Sequence, residues 1–207
     1  MAEEQSRIPP RAISPADLRG KEISASIRAF IAEFSKESDR AAVILVGARL
    51  DYLLRELLEN FLVPNTGSDD ELLGTERPLG SFSSRIHAAY RLGLIRASLA
   101  HALHIFRRLR NEFAHQTAGS SVSEGPSRDR VRELSRRLMK FEDFLNLRER
   151  LFKGIPEAKA NFLMSSAVLI LRLEGACTHV GRLNNSRAYS LVPPGWKIIK
   201  EEGGGDG

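Results

Sequence analysis

Three side chains near the middle of the chain could do chemistry together: Arg110, Asn111 and His115, in the run Arg-Asn-Glu-Phe-Ala-His. Histidine exchanges protons near neutral pH and serves as general base or acid. Arginine holds a phosphate through two parallel hydrogen bonds and stabilises charge developing on it. Asparagine can orient either. That set suffices for metal-free RNA cleavage, in which a 2′-hydroxyl attacks the adjacent phosphate. The residue types alone fit better with Arg110 and Asn111 capping or bracing neighbouring loops while His115 ends a helix.

An ideal helix over about Arg96–His115, at ~100° per residue, places Leu99, Ala102, Phe106, Leu109 and Phe113 on one side. His101, His104, Arg108, Asn111 and His115 then form a polar stripe opposite. Arg108 falls close to His115 in azimuth, whereas Arg110 lies ~140° away at the edge of the apolar face. Arg110 must snorkel, or meet a second chain, to join the stripe. His104, Arg107 and Arg108 complete the candidate binding surface of this helix. His101 and His104 could share a metal, but no third ligand is near in sequence, so no metal and no cofactor is expected. His87 and His179 read as structural histidines.

Asp51 is flanked along its helical row by Gly47, Ala48, Leu54 and Leu58. A carboxylate in such surroundings needs a partner. Arg85 is the candidate, with Arg55 as the local alternative. Asp51 and Arg85 therefore join the candidate binding residues, and the account needs Arg85 to converge with Arg110, Asn111 and His115 in a cleft open to solvent.

Apolar spacing implies the elements that position these groups. Ile23, Ile27, Phe30 and Phe34 mark a helix over roughly 22–36. Ser38 or Asp39 caps the next, which carries Leu50, Leu53, Leu54, Leu57, Leu58 and Phe61 and stops at Pro64. The apolar run Ala41–Val46 belongs to that helix. A loop rich in Gly, Asp, Glu and Pro follows to Gly80. Ser81 or Ser83 opens a short helix that Gly93 breaks. Beyond His115 a Ser/Gly-rich loop leads to one long basic helix ending near Phe152. Gly154 and Pro156 separate it from a dense apolar helix over about Glu157–Val180, expected at the centre of the bundle. The expected fold is all-α: about six helices in a bundle. Residues 1–16 read as a flexible arm, 17–185 as a single helical domain, and 186–207 as an extended tail that docks Trp196 and is expected to be disordered at its end, over 202–207.

The 207-residue chain is long enough for a sizeable core and carries a net charge of +5. The basic excess is local. Between Arg96 and Lys153 there are 13 Lys and Arg against 7 Asp and Glu; the remainder holds 18 against 19. Such a surface attracts polyanions, or serves solubility alone. The single cysteine, Cys177, excludes an intramolecular disulfide and a paired-cysteine zinc site. It reads as an inert core thiol in a reducing compartment. No signal peptide or spanning segment is apparent, which makes the expected location cytoplasmic, with no membrane partner.

Three stretches carry a resemblance: Pro78-Leu79-Gly80-Ser81-Phe82-Ser83-Ser84-Arg85-Ile86, Tyr90-Arg91-Leu92-Gly93-Leu94-Ile95 and Arg107-Arg108-Leu109-Arg110-Asn111-Glu112-Phe113-Ala114-His115. With Leu50-Asp51-Tyr52-Leu53-Leu54 upstream, they resemble the mannitol operon repressor family over about Ala42–His115. That resemblance implies an all-helical, HEPN-like fold and a role in transcriptional repression without a helix-turn-helix. In the broader HEPN superfamily the Arg-Asn-x3-His element, here Arg110, Asn111 and His115, can form a metal-independent ribonuclease site. Its members usually pair, so a homodimer is implied. The expected role is a repressor-like regulator contacting protein or nucleic acid (RNA or DNA), with a metal-independent endoribonuclease as the alternative and a non-catalytic interaction module as a third reading.

Overall fold

In a computed structural model the described residues are 25, 28–30, 33–115 and 121–183. They are helical without a strand: α1 (Asp39–Phe61), α2 (Phe82–Arg91), α3 (Ala97–His115), α4 (Gly125–Arg136), a 3-10 turn (Leu138–Lys140), α5 (Glu142–Leu151) and α6 (Glu157–His179). Helical residues precede α1, where Phe30 and Phe34 are buried with their rings 4.6 Å apart. The arm, the tail and Trp196 lie outside the described residues, as do residues 116–120.

The start of α1 is set by its cap: Ser38 Oγ accepts from Ala41 N at 3.1 Å. With Ser38 capping, Asp39 is free to tie three segments together. Its carboxylate accepts from Val122 N at 3.0 Å and Ser121 Oγ at 3.2 Å, and pairs with Lys159 at 3.4 Å. Leu50, Leu54, Leu57 and Leu58 of α1 are fully buried, and α1 packs against α2, α3 and α6.

A capping box starts α2: Ser81 accepts from Ser84 N and Ser84 Oγ from Ser81 N. Gly93, at φ +75°, supplies the left-handed turn into α3. The last helix, α6, is long and apolar enough to cross a membrane, but most of that stretch is buried inside the bundle. It carries Phe162, Leu163 and Leu173 in the core.

Two expectations need correction. The basic helix is not continuous. An unbroken helix from Val131 and Leu134 would turn Leu138, Phe141 and Leu145 inward. Instead Phe141 is 63% exposed and Phe144 only 5%, so the chain has been re-registered between them. Glu142 and Asp143 sit in the first turn of α5, where acids oppose the helix dipole favourably. The new register also lets Arg148 reach Asn161 Oδ1 of α6 at 2.8 Å. The second correction concerns α3, whose buried arc is wider than its apolar stripe: Ala100, Leu103 and Ile105 are buried beside Phe106, Leu109 and Phe113. The reason is position, because α3 packs against α1, α2, α4 and α6.

Candidate functional site: the arginine end of α3

Where α3 crosses α1, the close approach depends on a glycine. A Cβ at Gly47 would stand 2.9 Å from Arg110 Cγ and 3.6 Å from the Phe106 ring. The aliphatic stem of Arg110 therefore lies across α1 at Gly47 and delivers its guanidinium to the surface. There Arg110 Nη1 donates to Asn111 Oδ1 at 3.2 Å. Snorkelling thus brings Arg110 to Asn111, and Gly47 is the residue that permits it. His115 is exposed one turn beyond Asn111, at the last residue of α3. Close by, Arg40 from α1 donates to Ala114 O at 3.5 Å.

Arg108 and Arg110 are exposed and Arg107 is partly buried. None of the three has an ion-pair partner among the described residues, and the buried Arg107 Nε finds no hydrogen-bond acceptor. The one carboxylate of this segment, Glu112, is engaged by Arg130 of α4. Arg107 and Arg108 both bring positive charge to His104 while Arg110 lies across α1, and with no carboxylate partner among the described residues each is available to an outside anion.

Arg85 behaves differently. Its side chain is 9% exposed, and it pairs with Asp51 at 2.7 Å, as the sequence suggested. It also donates to Leu79 O at 2.9 Å and Leu73 O at 3.2 Å. Arg85 thus pins the loop between α1 and α2 and stays out of the solvent-facing surface of Arg110, Asn111 and His115. In the same loop Asp70 accepts from Leu73 N at 2.8 Å and Leu72 N at 2.9 Å. These two bonds hold its carboxyl below the usual range.

The histidines separate. His104 packs against His87 in a tilted arrangement with ring centroids 4.6 Å apart, while His101 bonds Glu133 at 3.2 Å. Burial, followed by the charges of His87, Arg107, Arg108 and His101, pushes the His104 pKa below its ordinary value. His104 is accordingly a neutral packing partner at pH 7. No three His, Cys, Asp or Glu side chains gather among the described residues. Cys177 donates to Leu53 O at 3.4 Å, and burial pushes its thiol up to about 11, which suits an unreactive thiol.

The exposed arc of α1, turned away from the Gly47 crossing, carries a separate apolar patch that the sequence reading passed over. Leu45 and Tyr52, seven residues apart and on one helical face, are 50% and 57% exposed, and Arg49 lies 5.7 Å from the Tyr52 ring centroid. The signal was available: large apolar residues at helical spacing outside the core stripe.

No family model and no curated protein matches the chain. Among solved structures it is similar to the MtlR–HPr complex from Escherichia coli, with a TM-score of 0.52, 18% identity, and 72% of this chain and 98% of that chain covered. At that identity the likeness is one of fold: the helical bundle is of the MtlR kind.

Proposed function

We propose that this protein is a regulator of the mannitol operon repressor type that works by docking a protein partner through the exposed arginines of α3. The observation that carries the reading is the set Arg107, Arg108 and Arg110, three cations without an ion-pair partner among the described residues. The fold neighbour is itself a complex with a protein, HPr. The setting we propose is cytoplasmic.

The test is calorimetric titration with HPr from the protein's own host, in parallel with upstream operon DNA. Binding of HPr that weakens with salt, and weakens at least about tenfold when Arg107, Arg108 and Arg110 are all replaced by alanine, supports the reading. Binding to DNA alone, with a steep salt slope, contradicts it in favour of direct nucleic-acid contact.

A second reading, a metal-independent endoribonuclease, draws on the Arg110–Asn111 hydrogen bond with His115 exposed one turn on. It carries a homodimer with it, two such elements facing each other. RNA cleavage in chelator, abolished by His115→Ala, establishes it; intact RNA across diverse substrates removes it.

A further inference from the structure

At the other end of α3, away from His115, lies a cavity of about 1120 Å³ between α3, α4, the 3-10 turn and α6. It is larger than the usual small-molecule pocket of roughly 300–1,000 Å³. Its floor is apolar: Leu99 and Ile105 of α3, Leu134 of α4, and Val168 and Leu169 of α6. Its rim is cationic. Arg96, Arg136, Arg137, Lys140 and Arg172 line it, all exposed and none with an ion-pair partner among the described residues. Glu133 is the one carboxylate in the lining, and His101 holds it at 3.2 Å.

A second observation comes from α6. Ser165 lines the cavity, is fully buried, and its hydroxyl has no hydrogen-bond partner. The adjacent Ser166 shows what a helical serine ordinarily does, donating to Phe162 O at 2.8 Å. A buried hydroxyl without a partner is costly, and such groups call for an explanation at the place where they occur.

We propose that this cavity binds an amphipathic organic anion: a carboxylate or phosphate head held by the arginine rim, and an apolar body on the floor carrying one hydrogen-bonding atom that meets Ser165. The floor suits a small molecule better than a polyanion, which has no need of an apolar bed. The five unpaired cations at the mouth select for negative charge. Ser165 selects for a polar atom on the body, because a site with a buried unpaired group discriminates by whether it is satisfied.

The test is calorimetric titration of the full chain with decanoate, decyl phosphate, 10-hydroxydecanoate and the uncharged 1-decanol. The expected result is binding of the anions, the stronger of the first two naming the head group, with 1-decanol at least tenfold weaker. Arg136→Glu combined with Arg172→Glu weakens the anions at least tenfold while the circular dichroism is unchanged. Ala102→Trp fills the cavity and abolishes binding; because that change could disturb packing, the exposed charge reversals serve as the independent variant. Ser165→Ala reduces 10-hydroxydecanoate to the affinity of decanoate and leaves decanoate unaltered. Failure of both anions to bind, equal binding of 1-decanol, or anion binding indifferent to the charge reversals overturns the proposal.

Discussion

Arg85 and the trio Arg107, Arg108 and Arg110 are the same residue type on adjacent helices, with opposite situations. Arg85 is buried and satisfied by Asp51 and two loop carbonyls. The trio has no carboxylate partner among the described residues. A guanidinium is expensive to bury, so a fold that buries one must supply acceptors, and that arginine then belongs to stability. A guanidinium left at the surface without counter-charge adds little to stability and keeps its hydrogen-bonding capacity for another molecule. The number of internal partners, rather than nearness to a motif, separates the two roles.

That contrast breaks most easily at Arg85. Arg85→Ala should lower stability by about 3 kcal/mol, the low end for a broken buried pair because Asp51 remains about a third exposed. Chemical denaturation reads it, and proteolysis within residues 62–80 should accelerate; a loss under about 1 kcal/mol would erase the distinction. Asp51→Asn keeps an acceptor but loses the charge, and should cost roughly 1.5 kcal/mol by the same measurement.

Acid titration sharpens the picture at His104. Its folded pKa lies below the ordinary 6.5 because of burial and the neighbouring cations, so the unfolded chain takes up the proton first. Its contribution is fully present above about pH 6.5 and is lost as the pH falls through the depressed folded value. Melting temperature should drop between pH 7 and 5, and His104→Gln should flatten that slope; an unchanged slope would mean that His104 is not the titrating group.

Smaller still are the surface changes. Gly47→Ala gains up to about 1 kcal/mol of helix propensity but forces the Arg110 stem aside, so net stability should move by less than that while partner binding weakens. Arg108→Ala should alter stability by no more than about 0.5 kcal/mol. A large loss there would place Arg108 with Arg85.

Much of this arrangement is legible in the residues. Ser38, Pro64, Ser81 and Gly93 punctuate the helices where local chemistry requires, and the need of Asp51 for a cation points to Arg85. What escapes a linear reading depends on contacts between distant segments. The break before α5 follows from Phe144 packing in place of Phe141 and from Arg148 reaching Asn161. The route of Arg110 to the surface depends on Gly47, 63 positions earlier. The cavity near Ser165 needs α3, α4 and α6 together, and nothing in the order of residues marks the serine whose hydroxyl goes unpaired.

The most direct measurement compares host HPr binding by the wild type with binding by the Arg107→Ala, Arg108→Ala, Arg110→Ala variant, alongside denaturation of both. The account predicts a loss of about tenfold or more in affinity, ~1.4 kcal/mol, while stability changes by less than about 1 kcal/mol. Full affinity in the triple variant, or a stability loss as large as that of Arg85→Ala, would contradict it.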